Sequence, residues 1–517
     1  MAVIAFRLDG GAAIGSGHLV RCGALGEALQ DLGHQVIFLC RNPLPEAPPF
    51  PVRYFAPPLP APPTGQYGVQ DISDELPALQ RTLEEDRIDC LIVDHYGAVE
   101  DYLSALQGQV GLLAALDDIH PHPFPVDLVL NGNVYAEELS YPEADSALLG
   151  PIYLPLRREF RDVSPKPIHS QARRIYITSG GADPLGFCRT ALEWISAAGA
   201  EARDIFVIAG SGFTPAYLEE LAADPLKPTL IQQANMRACM EDADLFITSA
   251  GSTLYELAAC GTPSLSCILT ENQAQLALRM GEQGCTHCLG PLKEVSTVQA
   301  IEALSCLLRT QELRREMRHR MNGCIFSTGA ETVANYLHQR ITHGRAIGKG
   351  EIFSTPQFIC RGITFADSSQ ISLWRSNPDL IRFFSNPEPV SLEMQQRWFL
   401  QSYLTDGNRF DFLVLAAGTK EPVGFVGASH IDYDKGSCYL GYAIAQDSWR
   451  GRRCASELVS SLITFLCRSL GIHTFFAVVH RENFPSCHLV TRLGFSPMGR
   501  EGDFITYRKI DFHYKDG

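Results

Sequence analysis

The sequence predicts two doubly wound α/β domains in series, followed by a smaller α+β domain. Three observations carry this. Over residues 1 to about 340, apolar strand-like runs alternate with stretches of helical period. Glycine-rich turns close strand runs in both halves of that region, the outline of two Rossmann-like domains facing each other across a cleft. Beyond Thr342–Glu351, a polar stretch with Gly344, Gly348 and Gly350, the pattern changes to alternating strands with hairpin turns. The limits read as 1–157 and 158–341 for the α/β domains, 342–357 for a linker and 358–517 for the last domain. A chain of 517 residues is too long for one core, and roughly 150 residues per domain gives about three.

The first domain is organised around Arg7–Cys22. Val3–Leu8 reads as a first parallel strand, and Gly10, Gly11, Gly15 and Gly17 then make a loop. After it, Leu25, Leu29 and Leu32 share one helix face, with Gly33 as a stop. A strand, a glycine-rich turn and a helix start direct backbone N–H groups at an anion. The glycines are spread over a longer loop than in the dinucleotide fingerprint, and His18 stands at the helix start. The partial positive charge there favours neutral imidazole, the form that accepts a proton. Beside the glycine loop, His18 is therefore the candidate base rather than a mere polar cap.

Gln35–Cys40 is the second strand, and Pro43–Pro63 is too proline-dense for a helix or a central strand, so it reads as an irregular surface excursion. Alternation resumes with a helix over Asp71–Arg87 and strands Cys90–Val93, Val110–Leu116 and Val126–Leu130. The first of these ends in Asp94-His95-Tyr96-Gly97. The second domain follows Leu156-Arg157-Arg158-Glu159-Phe160, with strands Arg174–Thr178, Asp204–Ala209, Leu245–Thr248 and Ser264–Leu269. They end, in turn, in Ser179-Gly180-Gly181-Ala182-Asp183-Pro184, Gly210-Ser211-Gly212, Ser249–Glu256 and Thr270-Glu271-Asn272-Gln273. In the last domain, strands Phe412–Ala416, Pro422–His430 and Cys438–Ala445 are joined by turns at Gly418 and Asp434-Lys435-Gly436. A helix over Cys454–Leu470, a strand over Thr474–Val479 and a last helix ending at Leu493-Gly494-Phe495 complete it.

The net charge of −15 leaves no basic excess to neutralise phosphates, which argues against nucleic acid as a partner. No basic leader precedes the first apolar run and no apolar stretch approaches ~20 residues, so neither signal peptide nor membrane span is expected and a cytoplasmic location is. Sixteen scattered cysteines with no paired CxxC spacing then read as reduced, mostly buried thiols, and no metal site is expected.

Residues 1 to about 340 resemble the UDP-2,4-diacetamido-2,4,6-trideoxy-β-L-altropyranose hydrolases of pseudaminic acid biosynthesis. The likeness rests on the Arg7–Cys22 loop, Asp94-His95-Tyr96-Gly97, Leu156–Phe160, Ser179–Pro184, Gly251–Glu256 and Glu271-Asn272-Gln273. The later motifs are shared more loosely with peptidoglycan UDP-N-acetylglucosamine transferases, so the resemblance implies a GT-B arrangement. It implies hydrolysis of the sugar–phosphate bond, releasing UDP and free sugar, with His18 as general base. UDP is a good leaving group, so one base plus donors for the diphosphate suffice, in place of the two carboxylates of ordinary glycosidases. For binding, the resemblance implies Gly15, Gly17 and Arg21 of the opening loop, with Asp94 and Tyr96 orienting base or sugar. It also implies Arg157 as a fixed positive charge, Gly180 and Gly181 at a turn, and the N–H groups of Gly251 and Ser252 on the diphosphate. Glu256 would hold ribose hydroxyls and Asn272 sugar or phosphate.

Residues from about 358 to 512 resemble the GNAT family of acetyl-CoA-dependent N-acetyltransferases. The signals are Leu440–Ile444, Trp449–Ala455, Asn483, Ser486 and Leu493-Gly494-Phe495. The resemblance implies acetyl-CoA as co-substrate, held by Ile444, Arg450, Gly451, Arg452, Arg453, Cys454, Ala455, Asn483 and Ser486. Cations at a helix start are misplaced for the helix dipole, which fits an anion bound there. Two departures stand out. Arg453 takes the place of a glycine, and the usual tyrosine acid is replaced near Val490, leaving Tyr442, His480, Tyr507 or an unaided thiolate open. Leu373–Pro378 and Ser391–Trp398 echo the amino-sugar acetyltransferase of the same pathway. The chain thus reads as a bifunctional enzyme acting on UDP-amino-sugars with acetyl-CoA. Its rivals are a GT-B glycosyltransferase with an appended acetyltransferase and a non-catalytic UDP-sugar and CoA sensor. Oligomeric state is left open.

Overall fold

The structure, a computed structural model, describes residues 1–10, 17–44, 47–59, 71–120, 122–163, 166–199 and 204–511. The chain divides into two compact units, Met1–Val333 and Ala334–Gly517.

The first unit holds two parallel sheets. One contains β1 (Val3–Leu8), β2 (Gln35–Cys40), β3 (Val52–Tyr54), β4 (Cys90–Asp94), β5 (Leu112–Leu116), β6 (Leu128–Asn131) and β7 (Ala147–Leu149), in the order β3-β2-β1-β4-β5-β6-β7. The other contains β8 (Arg174–Thr178), β9 (Asp204–Ala209), β10 (Thr229–Gln232), β11 (Leu245–Ser249), β12 (Ser264–Ile268) and β13 (His287–Pro291), in the order β10-β9-β8-β11-β12-β13. Both orders run outward from a first strand in two directions, so each sheet has a switch point, between β1 and β4 and between β8 and β11. β4, β5, β11 and β12 are buried at every residue, as in a parallel sheet covered on both faces, with Asp94, Thr248, Ser249, Ser264 and Ser266 among the buried positions.

The proline-dense segment is not wholly irregular. Val52–Tyr54 pairs in parallel with β2, and the Pro51 carbonyl accepts the Phe38 N–H at 2.9 Å. It sits at the sheet edge, where prolines on the open side cost no ladder bond.

A fully buried arginine stands near the carboxyl end of β1. Arg7 donates to Glu75 at 2.5 and 2.7 Å and to Asp9 at 2.7 Å. Asp9 in turn accepts the N–H groups of Arg41 and Asn42. A buried cation without such partners would cost several kcal/mol, roughly 3–5. The cluster thereby fixes the chain where the glycine loop leaves β1.

The second unit is a mixed sheet of β14 (Ile352–Ser354), β15 (Phe358–Gly362), β16 (Phe410–Ala416), β17 (Pro422–Asp432), β18 (Ser437–Ile444), β19 (Thr474–His480), β20 (Ser496–Glu501) and β21 (Phe504–Ile510). Their order is β14-β15-β16-β17-β18-β19-β21-β20, antiparallel except for β18 and β19. Those two pair only from Ser437 to Tyr439 and then part, leaving Leu440–Ile444 without a partner on that side. The closing hairpin β20–β21 was not legible, because β20 is exposed at every residue and carries no apolar alternation. No helix among the described residues is long and apolar enough to cross a membrane.

The expected linker is a correction. Within 342–357, β14 joins the sheet, and Ile347 and Phe353 lie in the core of the second unit. Lys349 is buried there, donates to the carbonyls of Asp406 and Arg409 at 2.6 Å, and lies over the Tyr403 and Phe410 rings. The preceding helix contributes Asn335 and Gln339, which donate to the carbonyls of Thr405 and Gly407. A fragment beginning at Ser354 loses all of these. It should melt roughly 10 °C below one beginning at Ala334, since two buried apolar side chains alone are worth about 3 kcal/mol or more. Equal melting temperatures in calorimetry would show that the segment contributes nothing.

Candidate active site

A cleft of about 400 Å³ opens at the carboxyl ends of both sheets of the first unit. Helix α1 (Gly17–Asp31) brings His18 to it, and His18 is 5% exposed. Its Nδ1 lies 2.6 Å from Oδ1 of Asp94, the last residue of β4, which is fully buried. Arg21 follows His18 on the same helix face and grips both oxygens of Asp94, at 2.7 and 2.5 Å. The Cys22 thiol adds a weaker contact at 3.2 Å. Burial alone would raise the Asp94 carboxyl, but Arg21, with His18, holds it well below the usual carboxylate range. An ionised Asp94 only accepts, so Nδ1 of His18 carries the proton and donates. Nε2 is left as an acceptor, the tautomer that a general base needs.

Two further groups complete this end. Tyr96 packs edge-on against the His18 ring, with centroids 4.8 Å apart. Its hydroxyl donates to Asp118 Oδ2 at 2.9 Å, and Arg21 Nη1 donates to the same oxygen at 2.8 Å.

The other wall is built of backbone. Gly180 holds a left-handed φ of +90°, and a Cβ on Gly210 would lie 2.3 Å from the carbonyl oxygens of Gly180 and Gly181, so no side chain fits there. The Gly212 N–H donates to Gly181 at 2.8 Å, and Ser249 Oγ to the Ser179 carbonyl at 3.1 Å. Helix α2 (Thr253–Cys260) starts beside them. The N–H groups of Gly251, Ser252 and Thr253 find no acceptor among the described residues, which leaves a positive helix end facing the cleft. Glu256, in the first turn of α2, accepts from Arg157 at 2.7 and 3.1 Å, both on Oε1. Burial raises the Glu256 carboxyl, and Arg157 opposes the rise. Tyr255 donates to Asn133 at 2.7 Å and ties α2 to the end of β6.

Gly17, His18, Arg21, Tyr96, Arg157, Gly180, Gly181, Gly251, Ser252, Glu256 and Asn272 all line this one cleft. Asp94 is bonded to His18 without lining it, and Gly15 lies outside the described residues. Asn272 accepts a hydrogen bond from Thr270 at 2.6 Å, so part of its capacity is already used. Asp118, Asn133 and Tyr255 were missed. Asp117-Asp118 carried a usable signal, two carboxylates closing the apolar run Leu112–Leu116 at a strand's carboxyl end. Among the described residues no group of three His, Cys, Asp or Glu could hold a metal ion.

In the second unit, the loop after β18 leads into helix α3 (Cys454–Leu470). Arg450 donates to the Ile444 carbonyl at 3.2 Å and pairs with Asp447 at 2.7 Å. Gly451 and Arg453 both have left-handed φ, +77° and +62°. Arg453 thus keeps the backbone path of a glycine while its side chain, like that of Arg452, is exposed. The N–H groups from Gly451 to Ala455 find no acceptor among the described residues, whereas Ser456 and Glu457 donate back to Arg453. Successive free N–H groups at a helix start form an anion cradle. Asn483 caps helix α4 (Phe484–Arg492) by accepting the Ser486 N–H at 3.3 Å, so its Oδ1 is spent locally. Val490 is 1% exposed in the core. The Tyr442 hydroxyl is buried, and burial raises its pKa.

Residues 357–496 match the family model described as an acetyltransferase (GNAT) domain. The second unit carries a GNAT acetyltransferase domain. Acetyl-CoA is the co-substrate of such domains. An uncharacterised protein of Methanocaldococcus jannaschii is 27% identical over 446 residues, 81% of this chain and 84% of that one. That length exceeds either unit, so the likeness spans both. The UDP-2,4-diacetamido-2,4,6-trideoxy-beta-L-altropyranose hydrolase of Campylobacter jejuni is 28% identical over 35% of this chain and 61% of its own. The spore coat polysaccharide biosynthesis protein SpsG of Bacillus subtilis is 25% identical over 45% of this chain and 71% of its own.

Two measurements test this geometry. Asp94→Asn removes the acceptor that fixes His18, so any reaction that uses His18 as its base should slow by on the order of 10²-fold or more with little change in KM. An unchanged kcat would make Asp94 merely structural. Arg453→Gly in the GNAT domain should raise its unfolding free energy in urea by about 0.5–1 kcal/mol, because a left-handed non-glycine residue is strained. Arg453→Ala should bring no gain, and equal gains in both variants would point to charge instead.

Proposed function

We propose that the first unit hydrolyses the sugar–phosphate bond of a UDP-2,4-diacetamido sugar, and that the GNAT domain acetylates the 4-amino group of its precursor. The observation that carries the first half is the His18–Asp94 pair opening onto a cleft whose far wall offers unpaired N–H groups. In this reading the diphosphate rests on Gly251, Ser252 and Thr253, the ribose on the free Oε2 of Glu256, and the glycosyl group beside His18. The oxygen of water attacks the anomeric carbon while its proton passes to His18 Nε2. The bond from that carbon to the β-phosphate oxygen breaks, and its electron pair leaves on UDP. Asp94 meets the imidazolium that forms.

The names of the Campylobacter and Bacillus relatives support a sugar-nucleotide or polysaccharide precursor. They also join the two halves chemically, since a diacetamido sugar needs an acetyl group added to each amine before hydrolysis. Within the GNAT domain, the parting of β18 and β19 supports a channel for the pantetheine arm, and the Gly451–Ala455 cradle supports binding of the pyrophosphate.

His18→Asn should lower UDP release in plain water by ~10²-fold or more, leave UDP-sugar binding intact and leave acetyl transfer unchanged. A wild-type protein that releases UDP only when an acceptor sugar is added would replace hydrolysis with glycosyl transfer. Binding without turnover would make the first unit a sensor.

A further inference from the structure

A chain of hydrogen-bonded side chains links the His18 end of the cleft to the start of α2. It begins at Asp117, the neighbour of the Asp118 that holds Arg21. Asp117 Oδ2 accepts the Tyr141 hydroxyl at 2.5 Å, and that hydroxyl accepts from Asn131 Nδ2 at 2.9 Å. Oδ1 of Asn131 takes the backbone N–H and the Nδ2 of Asn133, at 3.1 and 2.8 Å. Oδ1 of Asn133 takes the Tyr255 hydroxyl at 2.7 Å, and the same hydroxyl accepts the Val134 N–H at 3.3 Å. All five residues are buried. A buried network whose donors are matched in this way holds its members in one arrangement.

Tyr255 is the member that belongs to the second sheet's half, and it sits in the first turn of α2 with the free N–H groups of Gly251, Ser252 and Thr253 just before it. Two other side-chain links join the halves, Arg158 to Asp31 and Arg279 to Glu138, with side chains 29 to 64% exposed. Flexible arms paired in water set a spacing poorly. We infer that Tyr255 is a positioning residue whose bond to Asn133 fixes the separation between the anion-binding start of α2 and His18. This rests on the cleft being a UDP-sugar site. There the diphosphate is held at one end and the base stands at the other, so the scissile bond meets His18 at one separation only. The one proton of the Tyr255 hydroxyl is spent on Asn133, so its effect on the reaction passes through α2. Burial pushes that hydroxyl well above its ordinary range, which keeps the proton in place.

Tyr255→Phe removes the bond and keeps the ring. It should lower kcat for UDP release from UDP-2,4-diacetamido-2,4,6-trideoxy-β-L-altropyranose by about tenfold or more, since small misplacements cost that much in rate. The Kd for UDP, read by calorimetry, should move by less than about twofold, because each half of the site stays intact. A merely structural role would lower the folded fraction and leave kcat per folded molecule at the wild-type value, which overturns the inference. So would a UDP Kd that weakens in step with kcat. Asn133→Ala breaks the same bond from the other side and carries the same split if the phenylalanine protein melts early. The double variant should be no slower than Asn133→Ala alone, and additive losses would show that the two residues act separately. A wild-type protein that fails to bind UDP would sink the reading of the cleft itself, and the inference with it.

Discussion

The candidate site hangs on one buried carboxylate. Asp94 is fully enclosed at the end of β4 and receives His18, both arms of the Arg21 fork and the Cys22 thiol. Three of these come from one turn of α1, so the carboxylate sets where that helix begins. An isolated carboxylate at this depth would be protonated or would unfold the site, so the cation is required before the base can be placed. Arg21 then extends to Asp118, and Tyr96 joins it there, so charge pairing and substrate-facing geometry are one network. On the other side of β1, Arg7 with Glu75 and Asp9 fixes the strand from which the glycine loop leaves.

How much of this was legible follows burial. Strands enclosed on both faces, such as Cys90–Asp94 and Leu245–Ser249, are mostly apolar, and the sequence marks them within a residue. Edge strands lack that constraint. Val52–Tyr54, Thr229–Gln232 and Ser496–Glu501 are short or exposed, and nothing local separates them from loops. The supposed linker failed for a different reason. Its glycines and charges look solvated, yet Lys349 is buried because two carbonyls and two aromatic rings 50 to 60 residues away receive it. Local composition cannot show a partner that distant.

The site divides in the same way. Residues within compact motifs, from Gly17 and His18 through Gly251 and Glu256, converge on one cleft because strand ends of parallel sheets share an edge. Asp118 and Tyr255 were not singled out. Their roles come from which neighbour uses which oxygen, and Asp117 beside Asp118 shows that sequence position alone does not tell which of two adjacent carboxylates Arg21 takes. Arg453 is the reverse case. The sequence departs from glycine there, yet the backbone keeps the left-handed turn and the side chain is exposed, so the departure changes cost rather than path.

Both units face the same electrostatic problem. A chain with a net charge of −15 repels phosphorylated ligands at long range, and clustering cations to offset that repulsion would invite every anion. Backbone N–H groups at the starts of α2 and α3 avoid this, because they act only at contact distance and at fixed geometry. Three of the cations that are present serve other ends. Arg157 is committed to Glu256, Arg21 to Asp94 and Asp118, and Arg450 to Asp447. In the function proposed above, free N–H groups would grip the phosphates in each unit, with paired side chains holding them in register.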